Sequence, residues 1–215
     1  MNVSFLSRLL KKPIALLAIA WLLFVIVCAL APTLISSLDP LDQDLLTVKQ
    51  FPSSEHWLGT DMLGRDIVSR LAHGALPTLL GVLQALLVAS LLSISIGVSA
   101  GYFRGTWDKW VTQYVNLMMS LPFIVTALAV LMVFGKSMMS AMVTFGVLVS
   151  AGFIRTVRSV TLGVREELYI EAARISGLSD FAIITRHVLP RIVGPIIVSM
   201  ALFATAAVTI DRKST

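Results

Sequence analysis

The sequence predicts an all-α integral membrane protein, a polytopic bundle of five transmembrane helices with a cytoplasmic helical-hairpin loop. Three observations carry that prediction. Of 215 residues, 57% are hydrophobic and only 13% charged, with a mean hydropathy of +0.89, whereas soluble domains carry about 25% charged residues. Five apolar runs lack any formal charge, and each approaches the roughly 20 helical residues that a hydrocarbon core of about 30 Å requires. Between the last two runs lies a charged stretch whose apolar residues keep a helical period.

The runs are Ile14–Ile35, Pro77–Gly101, Val111–Phe134, Met138–Ile154 and Ile192–Ile210. They divide the chain into an N-terminal segment (1–13), a first spanning helix (14–35), an outer loop (36–76), a core (77–210) containing the polar loop 155–190, and a short tail (211–215). The first run follows Arg8, Lys11 and Lys12 and precedes Ala29-Leu30-Ala31, which mimics a secretory signal and its cleavage site. Its length exceeds a signal h-region and Pro32 follows the candidate site, so it reads as an uncleaved anchor.

Basic residues set the orientation. Arg8, Lys11, Lys12, Arg104, Lys109, Arg155, Arg158, Arg165, Arg174, Arg186 and Arg191 fall on one side; Lys49, Arg65, Arg70, Lys136, Arg212 and Lys213 fall on the other. The basic-rich side is cytoplasmic, which places the N-terminus inside. Tyr102, Trp107 and Trp110 bracket an inner loop, where amphipathic rings favour the headgroup level. Ser93, Gly97 and Gly101 recur every four residues and let helix backbones approach in lipid.

In the outer loop, Leu63, Ile67, Val68 and Leu71 share one helical face. A short amphipathic helix is expected there, with Thr60 or Asp61 as its N-cap. His56, Asp61 and Asp66 match no metal-ligand spacing, and Met118, Met119, Met132, Met138, Met139 and Met142 are too irregular for a soft-metal path. No metal site is assigned. Cys28 sits alone in an apolar run, which excludes a disulfide framework within the chain. Gln84 and Asn116 are the stronger polar groups in the spans, and Pro122 is placed to kink the third; Asn116 and Pro122 are the possible pathway residues. Pro195, with Gly194, has the same potential in the fifth.

In the polar loop, Val164, Leu168, Ala172 and Ile175 form an apolar stripe, and Glu171 and Arg174 are spaced to pair. Gly177 suits a helix C′ position of positive φ. Ser179 caps a second helix, Asp180 to His187, ending near Leu189 because the residue before proline avoids the α region; Pro190 then opens the last span. The expected product is a helix–turn–helix hairpin joined to two spans.

Glu171-Ala172-Ala173, then Gly177, then His187 ahead of Leu189-Pro190 resembles the EAA loop of ABC importer permeases. The outer segment His56 to Leu71, with Gly59, Thr60, Asp61, Gly64, Arg65, Asp66, Ser69 and Arg70, resembles the segment before the second span in the dipeptide/oligopeptide/nickel branch of that family. The resemblance covers residues 10 to 208. It implies a permease subunit of the bacterial inner membrane, forming half of a translocation pathway for di- and oligopeptides, with nickel or another small solute as the alternative.

The partners so implied are a second permease, two cytoplasmic ATPases and an external solute-binding protein, with Glu171, Ala172, Ala173, Gly177, His187, Leu189 and Pro190 coupling ATPase closure to alternating access. Nucleic acid is not a partner. This chain contains no Gly-x-x-x-x-Gly-Lys-Ser/Thr loop, so no catalytic residue or cofactor is assigned to it. ATP and Mg are expected on the partner subunits. The resemblance also implies six spans, with a Ser-Phe-Leu-Gly-Leu-Gly-like segment after the fifth. The chain ends instead at Asp211-Arg212-Lys213-Ser214-Thr215, and the expectation is a C-terminal truncation. Competing readings are a non-transporting fragment and, from another class, a secondary transporter or channel, which would favour intramembrane ionisable groups.

Overall fold

Helix boundaries in this chain are decided by prolines, caps and close backbone contacts more than by hydropathy. A computed structural model describes residues 12–134 and 137–211. Arg8, Lys11, Lys136, Arg212 and Lys213, and with them part of the charge count, lie outside the described residues. The chain divides into two compact units, Met1–Leu80 and Gly81–Thr215. Among the described residues the regular elements are helical, apart from one isolated bridge between Thr60 and Asp66.

In the first unit, α1 (Pro13–Leu30) opens on a proline, whose missing N–H is not needed at the first helical position. A 3₁₀ turn, Pro32–Leu34, follows. The next thirty or so residues form a knot of turns. Asp39, Asp44 and Asp61 each accept from the N–H two residues on, at 2.8, 2.9 and 2.8 Å, the local bonding that makes Asp a turn residue.

The separate amphipathic helix expected here is absent. Residues 60–66 turn back on themselves, and helix α2 begins at Ile67, capped by Asp66, whose Oδ2 accepts from the Ser69 N–H at 2.7 Å. Gly64, at φ +73°, is incompatible with a helix started at Thr60 or Asp61. Once started, α2 (Ile67–Phe103) runs unbroken for 37 residues and absorbs the second span, with Pro77 inside it. The expected boundary at 76/77 therefore falls within a helix.

In the second unit, the third apolar run bends at Pro122, where the sequence placed a kink, and the bend is a full break between helices. These are α3 (Gly105–Ser120) and α4 (Phe123–Phe134), bent by 96°. Leu121 is extended (φ −79°, ψ 136°) because Pro122 excludes its α conformation. Among the described residues, four helices are thus long and apolar enough to cross a membrane, or five if the bent pair is one span.

Helix α5 (Met138–Arg165) starts at the Ser137 cap and continues eleven residues beyond the expected Ile154 end. It stays helical there because its buried face continues through Val157 and Thr161, which lie against α2. A Cβ on Gly97 would sit 2.9 Å from that of Val157, and one on Gly101 would sit 2.8 Å from the Arg158 carbonyl oxygen. The small-residue spacing read from the sequence is therefore a helix–helix contact. Asp108 of α3 holds Arg158 through both carboxylate oxygens, one at 2.7 Å from Nη2, so an arginine is accommodated on that helix.

Helix α8 (Leu189–Asp211) packs beside α5, where Phe203 stacks on Phe145 at 5.1 Å and meets Phe153 edge-on at 5.3 Å. Pro195 lies within it without ending it.

Candidate functional site

The polar loop folds into a hairpin whose first arm, α6 (Leu168–Ile175), is set off from α5 by a turn at Glu166 and Glu167. Gly177 takes φ +80°. Its N–H donates to the Arg174 carbonyl at 3.0 Å while Leu178 N–H reaches Ala173 at 3.2 Å, the paired bonds of a Schellman C-cap. Ser179 caps the second arm by accepting from the Ala182 N–H at 3.3 Å. That arm runs through α7 (Asp180–Ile183) and one π-helical turn, Ile184–Val188, straight into α8.

The second arm was expected to stop before Pro190. Instead Leu189 is helical (φ −53°, ψ −48°) and its N–H bonds the Ile184 carbonyl five residues back. Such a π turn accommodates a proline ring that would clash with a carbonyl in a regular α-helix.

The hairpin has two unlike faces. Ile170, Ile183, Val188 and Ile192 are buried with Val98, Tyr102 and Val157, and Ala173, Leu178 and Leu189 pack against them. The opposite face leaves Leu168 and Ile175 each 82% exposed and Phe181 77% exposed, beside Glu171 and Ala172. The stripe expected from Val164 to Ile175 is therefore split. The Glu166–Glu167 turn rotates α6, so that Leu168, Ala172 and Ile175 point outward while Ile170 and Ala173 take the inner face. His187 is half-buried, its ring centroid 6.1 Å from that of Tyr169, and Pro190 is exposed.

One residue that the sequence did not single out for this site, Tyr102, holds it to the spans. Tyr102, only 2% exposed, donates to Asp180 Oδ1 at 2.6 Å and accepts from Arg174 Nη2 at 3.2 Å. The Tyr102 ring is inside the protein rather than on its surface, whereas Trp107 and Trp110 are exposed. Bonding to Tyr102 pushes the Arg174 pKa further up, and among the described residues no ion pair joins Arg174 to Glu171. A buried tyrosine needs a partner for its hydroxyl, which is the one general signal that marked Tyr102.

The external motif is built around Asp61 and Asp66. Asp61 accepts from Leu63 N–H at 2.8 Å and Arg65 N–H at 3.0 Å, and pairs with Arg65 Nη2 at 2.8 Å and with Arg70. Burial acts to raise its pKa, but the Leu63 and Arg65 N–H groups and the Arg65 guanidinium outweigh it, bringing the carboxyl to about 2. Asp66 holds His56 Nδ1 at 3.0 Å, Thr60 Oγ1 accepts from Gln50 N–H at 2.9 Å, and the buried Ser69 hydroxyl donates to the Leu38 carbonyl. Gly59 and Gly64 have φ of +77° and +73°. The motif closes the knot onto the start of α2. Asn116 is exposed on α3, and Pro122 stands at the break after it.

Residues 93–209 match the family described as binding-protein-dependent transport system inner membrane component. The chain is 33% identical to the glutathione transport system permease protein GsiD of Pectobacterium atrosepticum over 202 residues, 93% of this chain and 66% of that protein. It is 35% identical to the dipeptide transport system permease protein DppC of Alkalihalophilus pseudofirmus over 185 residues, 85% of this chain and 60% of that protein. It thus spans somewhat less than two thirds of the length of these curated relatives. The bundle of apolar helices, the hairpin between the last two of them and the match over more than half of its length have one explanation: the chain belongs to the binding-protein-dependent transport system inner membrane components, the permeases of ABC importers.

Proposed function

We propose that this chain is the permease of a peptide importer and that the exposed face of its hairpin docks a cytoplasmic ATPase. The observation that carries the reading is the two-faced hairpin. Leu168, Ile175 and Phe181 are held out in solvent by a second face packed among the spans, a cost that a mere connector has no reason to bear. ATP and Mg belong to the docked subunits, which act in a pair. A second permease completes the pathway and an external binding protein delivers the solute. The hairpin side faces the cytoplasm, as the excess of basic residues there supports.

The names of the relatives support peptides, glutathione being a tripeptide, over nickel. The docking reading is tested by co-expressing the chain with its ATPase and purifying by a tag on the chain. Leu168→Asp with Ile175→Asp is expected to lose the ATPase while the chain stays in the membrane; retention of the ATPase overturns the docking surface. Uptake of labelled dipeptide and of nickel by the reconstituted complex decides the substrate.

A further inference from the structure

Beside the hairpin lies an open cavity of about 430 Å³ lined by Tyr102, Phe103, Arg165, Arg174, Leu178, Ser179 and Asp180. Two guanidinium groups flank one ring there: Arg165 Cζ is 5.9 Å and Arg174 Cζ 5.7 Å from the Tyr102 centroid. Stacking on a ring stabilises each cation but does not neutralise the pair. Asp180, the one carboxylate among the lining residues, is engaged by the Tyr102 hydroxyl. Arg165 Nε is buried with no hydrogen-bond partner among the described residues, a donor of the kind that native structures rarely leave unmet. The Ser179 side chain accepts from Ala182 N–H, which leaves its hydroxyl hydrogen free to donate into the cavity.

We propose that this cavity binds a phosphate-class anion, held between Arg165 and Arg174. Guanidinium forks match phosphate oxygens in geometry and charge, and two forks with a hydroxyl suit a group that offers several oxygens at once. The place in the fold indicates where such a group comes from. Tyr102 and Arg165 stand at the ends of two candidate spans, Ile67–Phe103 and Met138–Arg165, and Phe103 is an exposed hydrophobic on the cavity wall. Basic pockets between spans at the membrane surface take lipid headgroup phosphates; a soluble phosphate offers the same chemistry. The site is separate from the exposed hairpin face and does not depend on a docked ATPase. Because Arg174 belongs to α6 and Arg165 to α5, a bound anion joins the hairpin to the end of a span.

The test uses the full 215-residue chain in nanodiscs of phosphatidylcholine, with and without phosphatidylglycerol, and compares native protein with Arg165→Gln and Arg155→Gln. Arg155 is an exposed arginine on the same helix that does not line the cavity. Retained phosphatidylglycerol is measured by native mass spectrometry. Inorganic phosphate is titrated in phosphatidylcholine discs against chloride at equal ionic strength, with the melting midpoint as readout. Arg165→Gln is expected to weaken one or both ligands by roughly tenfold, and Arg155→Gln to leave both unchanged. Loss confined to phosphatidylglycerol assigns a lipid headgroup, and loss confined to inorganic phosphate assigns a soluble anion. Circular dichroism checks the fold, and Arg165→Lys, which keeps the charge without the fork, serves if Arg165→Gln loses helicity. Equal binding by native protein and the position-165 variant, or equal loss in Arg155→Gln, overturns the site.

Discussion

The Tyr102 hydroxyl donates to Asp180 Oδ1 at 2.6 Å across 78 residues of sequence, joining the end of one spanning helix to the first turn of the hairpin's second arm. Tyr102→Phe keeps the ring beneath the two guanidinium groups and removes only this bond and the one from Arg174. A single hydrogen bond of this kind contributes about 1 kcal/mol. The expected outcome is roughly fivefold faster amide exchange at Ile183 and Val188 with global helicity unchanged, read by hydrogen exchange with mass spectrometry.

Gly97→Val should weaken the bundle itself. The added carbons meet Val157 and the Ile154 carbonyl oxygen, already at 2.9 and 3.0 Å from a single Cβ, and overpacking of this kind costs about 1–3 kcal/mol. Loss of helicity in an SDS titration is the measurement. Gly152→Ala, where nothing lies within 4 Å of the new Cβ, is the control and should shift the transition by less than about 0.5 kcal/mol.

Gly64→Ala should open the external knot. At φ +73° its Cβ would lie 1.8 Å from the Asp44 carbonyl oxygen, so the backbone cannot keep its path. Proteolytic cleavage within residues 40–66 is expected to accelerate by at least about tenfold, while Gly74→Ala, with open space around its Cβ, leaves the rate unchanged or lower.

Acid should release the same knot through Asp61. Its carboxyl sits at about 2 in the fold against 3.8 normally. Between these values the unfolded chain binds more protons, so stability rises with pH there. The contribution of Asp61 is complete above about pH 4 and is lost as pH falls towards 2. Protection of the Leu63 and Arg65 amides, whose N–H groups donate to Asp61, should fall over that window, and Asp61→Asn should flatten the profile.

Coupling is tested at Gly177. Proline cannot adopt its φ of +80° and removes the N–H that bonds Arg174. Gly177→Pro is expected to leave the chain in the membrane with ATP hydrolysis by the complex no longer producing uptake, measured as the ratio of phosphate released to peptide accumulated. An unchanged ratio removes the hairpin from the coupling path.

What the sequence made legible follows a physical division. Hydropathy located the apolar runs, and turn chemistry located Gly177 and the Ser179 cap, because these are local properties of a few residues. The small-residue period at Ser93, Gly97 and Gly101 identified a packing face before any partner was known. Boundaries were lost where distant contacts overrode local signals. Arg155 and Arg158 look like the end of a span, yet Asp108 receives Arg158 and Gly97 receives Val157, so α5 continues. Leu189-Pro190 looks like a stop, yet one π turn carries the helix through it. The outward turn of Leu168 and Ile175 depends on a break at Glu166–Glu167 that no residue there advertises, and Tyr102 gained its role from Asp180 and Arg174, far away in the chain.

That continuous passage through Pro190 makes the second arm and the last span one rod. From Asp180 to Ala204 it is 25 residues, about 37 Å at a rise of 1.5 Å per residue. If it moves as a unit, a tilt of about 5° imposed at its hairpin end carries the far end by about 3 Å, comparable to the diameter of a water molecule. The proline that would ordinarily interrupt such a helix is the residue around which its continuity is kept.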